Sequence, residues 1–298
     1  FFLPEAYLLG GLAAKLARIP YRVMSRRSQN LYQARYPRYA ALERRLHARM
    51  DAVLGNSPQV CAELATEGVP LSRLGMIANG LDTVRFTPGD KVAARRALAL
   101  DKAPLVFVVV ANLIAYKGHA DLIDALSSIH ERLPAGWMLL CVGRDGGQET
   151  DLRARADAAG IAAHIRWAGE QADVLPWLQA ADIALLASHE EGSPNSLIEA
   201  MACGLPVVAT DVGGVGAIVD DGVTGYLVPP RAPDQLAARL FELATEPGRR
   251  EDMARSARDT ILQHSEIERC IDDYANLYDA LMIRPAEGVP AALLPPES

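Results

Sequence analysis

The sequence predicts an α/β chain centred on a doubly wound parallel sheet. Three observations lead there. Apolar runs at 105–110 (LVFVVV), 138–142 (MLLCV) and 183–187 (IALLA) are rich in Val, Ile and Leu, as strands buried on both faces must be. Segments of helical period separate these runs, which is the alternation that places helices over a parallel sheet. The loops after the runs are polar and several carry glycine, and in such sheets ligands bind outside the strands' carboxyl ends.

Each element follows from local signals. Residues 5–18 have apolar positions at helical spacing and stop before Pro20. Residues 21–25 read as a short strand, 32–50 as a long Arg-rich helix and 52–54 as a strand. Asn56-Ser57-Pro58 opens a helix through Glu67, because Ser is a good N-cap and Pro suits the first turn. Residues 76–78 form a last short strand, and Asn79-Gly80 is a turn signal. Residues 87–103 pass through Pro88-Gly89 and a short helix. Strands are then expected at 105–110, 138–142, 164–167, 183–187, 207–209 and 226–228. Helices are expected at 117–133, 149–159, 173–180, 215–219, 233–245 and 249–263, and a last one at 266–282. From Arg284 the Pro- and Ala-rich tail, ending PPES, has nothing to pack with and reads as disordered. The expected division is 1–103, 104–265, a crossing helix at 266–283 and a tail at 284–298.

At 298 residues the chain holds two domains, or one and a part. The net charge of −7 is unevenly spread: residues 1–50 carry ten basic and two acidic side chains, net +8. A basic segment on an acidic chain reads either as a face for an anionic membrane or lipid-diphosphate acceptor, or as a solvated helical face. Nucleic acid is not expected, since the chain as a whole is acidic and lacks a nucleic-acid motif. Cys61, Cys141, Cys203 and Cys270 show no metal or redox spacing and read mainly as buried thiols of a reducing compartment. The apolar run at 6–14 is too short to span a membrane, and no signal peptide is visible. The chain opens on an apolar segment without Met and reads as a fragment of a longer protein.

Residues 188–204, SHEEGSPNSLIEAMACG, organise the rest. A buried strand feeds a polar loop, with Ser193 as the expected N-cap and Pro194 in the first turn of a helix. Gly204 stops that helix and Pro206 prevents its return. The N–H groups of residues 193–196 then sit free beside a strand's carboxyl end, which suits a phosphate. Glu191 and Glu199 flank this point. On one helix they would lie about 800° apart, roughly 80° off a shared face; Glu191 therefore belongs before the helix and Glu199 within it. A carboxylate accepts hydrogen bonds from paired sugar hydroxyls. The neighbours of Glu199, Leu197, Ile198, Ala200, Met201 and Ala202, are apolar, so a solvated face fits it poorly.

EGSPNSLIE has the E-x7-E form, and AMACGLPVVATDVGG continues it. The string resembles retaining glycosyltransferases of family 4, with the two-Rossmann-domain GT-B fold. IANGLDTVRF at 77–86 resembles that family's junction between domains. The resemblance implies an incomplete N-terminal acceptor-side Rossmann-like domain, a C-terminal donor-binding domain built on a doubly wound parallel sheet, and a helix crossing back to the first domain. It implies that Glu199 holds the ribose of a nucleotide-sugar. Glu191 and the amides of Gly192, Ser193, Pro194, Asn195 and Ser196 would serve the sugar and diphosphate (Pro194 as the ring that sets the turn, having no N–H). In ANLIAYKGHADL, Lys117 and Gly118 match the family's K-G, which stabilises the departing diphosphate. Many members carry Arg five residues before that Lys; here Asn112 stands there. Arg144, in VGRDGGQ, either supplies the missing charge or is a solvated loop residue. His189 reads as a loop bystander, with contact to the sugar as the alternative. Gly213 and Gly214 make a turn or let the sugar approach.

The expected activity is transfer of a sugar from a nucleotide-diphosphate-sugar to an acceptor hydroxyl in bacterial polysaccharide or lipid-linked glycan synthesis. The expected place is the cytoplasm, with peripheral contact at the inner face of the plasma membrane. No cofactor or metal is expected beyond the donor itself. NAD is not expected either: Gly143-x-x-Gly146-Gly147 lacks first-βαβ placement and the acidic residue about twenty positions on. Two other readings stand beside this one: a nucleotide-sugar 2-epimerase of related fold, and a non-catalytic nucleotide-sugar binding fragment.

Overall fold

The computed structural model describes residues 1–2, 4–30, 33, 36–283 and 288–296. The chain divides into two compact units. One comprises Phe1–Gly80, Glu191–Ser193 and Ser265–Ser298; the other comprises Leu81–Glu190 and Pro194–His264. Residues 81–103, read from sequence with the N-terminal part, thus pack with the second unit.

The second unit holds six parallel strands: β4 (Val106–Val110), β5 (Met138–Val142), β6 (Ile165–Gly169), β7 (Ile183–Leu186), β8 (Val207–Thr210) and β9 (Gly225–Val228), in the order β6-β5-β4-β7-β8-β9. The chain winds outward from β4 in one direction and from β7 in the other. The order therefore reverses between these two, at the pairs Phe107↔Ile183 and Val108↔Ala184. A crevice at such a reversal is where a doubly wound sheet binds ligands. Strand period two divides the core. Phe107, Val109, Leu139, Cys141, Ile183 and Leu185 face one apolar layer. Val106, Val108, Leu140, Val142, Ala184 and Leu186 face the other. With both faces covered, the alternation of polar and apolar residues disappears from the strands.

The first unit holds a parallel sheet of β1 (Val23–Arg26), β2 (Ala52–Gly55) and β3 (Leu74–Met76). Beside it are helices α1 (Pro4–Leu16), α2 (Pro37–His47), α3 (Pro58–Thr66) and a C-terminal helix, Ile267–Ile283. Ser57 caps α3 by accepting from the N–H of Val60, as its sequence predicts. Arg26, at the end of β1, is buried between Glu43 on α2 and Glu67 at the end of α3, at 2.7 and 2.6 Å. Burial alone raises Glu67, but hydrogen bonds from His47 and Arg26 and the Arg26 charge hold it well below the carboxylate range.

Several expectations need correction. The tail packs: Val289 and Leu293 are buried with Leu54, Ile77, Leu277 and Leu281, and the N–H of Val289 donates to Ser72. Two apolar residues four apart and one backbone bond seat a Pro- and Ala-rich stretch that composition alone leaves unassigned; residues 284–287 and 297–298 lie outside the described residues. So does much of 31–35, at the start of the long helix expected over 32–50. The helix expected from 117 begins at His119, because residues 115–117 form a tighter turn ending at Gly118 with φ +69°. At Asn79-Gly80 there is no turn; the turn follows at 83–85. There Asp82 accepts from the N–H groups of Val84 and Arg85. Gly80 is required instead by packing, since a Cβ would lie 2.7 Å from Cys270 Cβ and 3.0 Å from Ile267 Cα.

Candidate functional site

The loops at the reversal point come from the ends of β4, β5 and β7. After β4, Asn112 is exposed, and its Oδ1 accepts from the backbone N–H of Arg144 at 3.1 Å. Leu113 donates to the carbonyl of Arg144, and Gly146 donates to the carbonyl of Leu113. Asn112 and Arg144, both candidate phosphate ligands, therefore sit on adjacent loops stitched together through backbone groups. Asn112 spends its side-chain acceptor on this tie, and the Arg144 side chain is exposed. Gly143 lets the second loop come in close: a Cβ would lie 2.1 Å from the Ala111 carbonyl oxygen.

Lys117 ends the turn before Gly118 and is half-buried, its Nζ 5.4 Å from the centre of the Tyr116 ring. Gly118 faces the end of β7 so tightly that a Cβ would stand 1.9 Å from the Ala187 oxygen. Its left-handed φ opens the helix His119–Ile129, whose first-turn N–H groups lie at the reversal point with the dipole's positive end. His119 itself faces the interior. It is 3 % exposed and neither ring nitrogen has a hydrogen-bond partner among the described residues. Burial, followed by the charge of Lys117, pushes it down to about 4.

After β7, Ser188 is fully buried and His189 bonds backward. Its N–H donates to the Tyr116 carbonyl at 2.7 Å, and its Nε2 lies 2.8 Å from Asp121 Oδ2. The following helix spans Asn195–Ala202, with Pro194 at the N-cap position in extended backbone and no side-chain cap. Ser193 is not the cap; the buried proline ring starts the helix one residue later than its sequence predicts. The C-terminal end matches expectation. Gly204, at φ +73°, donates to Met201 and Leu205 donates to Ala200, the paired bonds of a Schellman stop. Leu197, Ile198, Ala200, Met201 and Ala202 are buried on this helix. Glu199 is half-buried among them, and no hydrogen bond to its side chain forms among the described residues. Burial raises it above the ordinary carboxylate range, against the pull of the Arg85 charge. A carboxylate held in that state is short of hydrogen-bond donors.

Lys117, Gly118, Asn112, Arg144, Pro194, Asn195, Ser196 and Glu199 lie in the second unit, whereas Glu191, Gly192 and Ser193 group with the first. There Gly192 is pressed on the end of β1, a Cβ standing 2.6 Å from the Arg27 oxygen and 2.9 Å from Ser28 Cα. Asn79 Nδ2 donates to the carbonyl of Ser193 at 3.1 Å, while its Oδ1 accepts from Arg27 Nη1 at 3.1 Å. Asn79 and Arg27 are contributors that the sequence reading did not assign to this loop. The N-G pair reads as a turn, and nothing in the spacing links position 79 to 193. Among the described residues no group of three His, Cys, Asp or Glu is placed to hold a metal ion.

The family described as glycosyl transferases group 1 matches residues 90–260. The chain belongs to this family. The D-inositol 3-phosphate glycosyltransferase of Kribbella flavida is 34% identical over 217 residues, 70% of this chain and 51% of that protein. The lipopolysaccharide core biosynthesis mannosyltransferase LpsB of Rhizobium meliloti is 31% identical over 255 residues, 82% of this chain and 70% of that one. The chain thus spans about half the length of several curated relatives it matches. Among solved structures, Anabaena HepE in complex with UDP superposes with a TM-score of 0.86 at 22% identity, covering 94% of this chain and 78% of that one. This likeness shows the fold, α/β with parallel sheets of the GT-B class.

Proposed function

We propose that this group 1 chain binds a nucleotide-diphosphate-sugar and belongs to a retaining glycosyltransferase of family 4 that transfers the sugar to an acceptor hydroxyl in bacterial glycan synthesis. The observation that carries the reading is Glu199: a half-buried carboxylate with no hydrogen bond to its side chain among the described residues, on the helix that starts at the sheet's reversal point, in the second place of E-x7-E. In this reading Glu199 accepts both ribose hydroxyls, which restores the hydrogen bonds its burial removed. Lys117 and the amides at the two helix starts stabilise the diphosphate as it leaves, where negative charge develops. Glu191 positions the sugar. Front-face attack, with the leaving phosphate taking the acceptor's proton, needs no dedicated protein base. The naming of UDP and UDP-glucose with HepE supports a uridine donor as the first to try.

The test is slow donor hydrolysis. The chain incubated with UDP-glucose should release glucose that appears first as the α-anomer in proton NMR, and Glu199→Ala should abolish the release. First appearance of the β-anomer would rule out retention. Nucleotide binding with no turnover would favour the non-catalytic fragment, and appearance of a 2-epimer would favour the epimerase.

An anionic membrane surface is proposed as a second partner of the first unit. Leu9, Leu12 and Leu16 are exposed on α1 beside Lys15 and Arg18, and Arg38, Arg44 and Arg45 are exposed on α2, a pairing of apolar and basic groups suited to a headgroup layer. Co-sedimentation with phosphatidylserine vesicles but not with phosphatidylcholine ones is expected; equal behaviour with both would refute it.

A further inference from the structure

We propose that His189, through its pair with Asp121, is a positioning residue that aims Lys117 at the donor diphosphate; this rests on the donor reading above. The segments 116–121 and 187–189 are joined at three points. The His189 N–H donates to the Tyr116 carbonyl at 2.7 Å. Gly118 approaches Ala187 within the space of a missing Cβ. His189 Nε2 meets Asp121 Oδ2 at 2.8 Å. Lys117 lies between these points in the chain.

The first two joins are backbone geometry that many side chains at 189 permit. The third needs this histidine. The two side chains are 15 % and 21 % exposed, so the bond is largely out of water and holds better than a surface pair. It does two things for an anionic ligand. A lysine is a point charge on a flexible stem, so its value at a fixed phosphate depends on where its backbone is held. Asp121 also stands in the first turn of the helix His119–Ile129, where its bare carboxylate would oppose a diphosphate at the same helix end. The imidazole ties up one oxygen of that carboxylate, which fixes where its charge stands.

The experiment is a calorimetric double-mutant cycle with UDP, GDP and ADP as probes. In the wild-type background Lys117→Ala should weaken binding about tenfold, and His189→Ala about fivefold, with the thermal midpoint nearly unchanged. In the His189→Ala background, Lys117→Ala should cost less than about threefold, because the lysine is no longer held. His189→Gln, whose amide can still donate to Asp121, should recover most of the affinity; it also keeps the test open if the alanine variant folds poorly. A Lys117→Ala penalty that is the same with or without His189 would overturn the inference while leaving the donor reading intact. A folded wild-type chain that binds none of the three probes would overturn both.

Discussion

His119 follows the lysine and glycine of the first loop, yet it faces the interior with both ring nitrogens unpartnered among the described residues. Its position was legible as part of a helical segment; its burial was not, because a polar residue at a helix start normally reads as solvent-facing or as a ligand. On the helix it shares a face with Leu122, Ile123 and Leu126, and that spacing is the signal that it belongs to the interior. The consequence is a pH dependence. In the unfolded chain this imidazole takes up a proton below pH about 6.5, whereas in the folded chain burial pushes it down to about 4. Protons therefore favour the unfolded state between these values. Stability from this group is fully present above pH about 6.5 and is lost as pH falls toward 4, by up to about 3 kcal/mol. Urea midpoints at pH 7.5 and 4.5 measure it, and His119→Leu should flatten the difference. An unchanged difference in that variant would assign the acid sensitivity to other groups. Glu199 shows the opposite kind of legibility. Its apolar neighbours already mark it in sequence as a carboxylate in need of a partner, and the structure finds it half-buried with no hydrogen bond to its side chain among the described residues.

At the scale of elements, the strands of the second unit were readable because most are short, nearly unbroken apolar runs between turn signals; β6, with Arg166, is the exception. The elements misplaced were those decided by a single backbone conformation. Gly118 is the clearest case: its left-handed φ and its approach to Ala187 end one turn and open the next helix. Helical period alone runs through this point and starts the helix two residues early. Both the conformation and the contact exclude a side chain. Gly118→Ala should therefore cost on the order of 2 kcal/mol or more in folding and also displace Lys117, so that nucleotide binding falls further than stability does. Chemical denaturation paired with a binding titration checks this. An alanine variant of wild-type stability and affinity would show that the loop has slack that the close contact denies. The packed segment at 288–296 was missed for a related reason. It is fixed by one tertiary contact surface, and composition carries no trace of it.

At the scale of the molecule, the doubly wound parallel sheet of the second unit followed from the alternation of strands and helices. The boundary did not. Residues 81–103 carry no apolar run, and they join the second unit through contacts such as Lys91 and Arg95 with the buried Asp182, which no spacing rule reveals. The grouping of Glu191–Ser193 with the first unit was equally invisible, since it rests on Asn79 reaching Ser193 across more than a hundred residues. The string at 188–204 is legible in sequence as one unit because its residues are contiguous. The central claim is that this string holds a nucleoside diphosphate through Glu199. The most direct test is a calorimetric titration of the chain with UDP, GDP, ADP and NAD, repeated with Glu199→Ala. We expect saturable binding of one nucleoside diphosphate, no binding of NAD, and a loss of about tenfold to a hundredfold in affinity in the variant, the worth of hydrogen bonds to a charged group. Binding of NAD in place of the diphosphates, or diphosphate binding indifferent to Glu199, would contradict it.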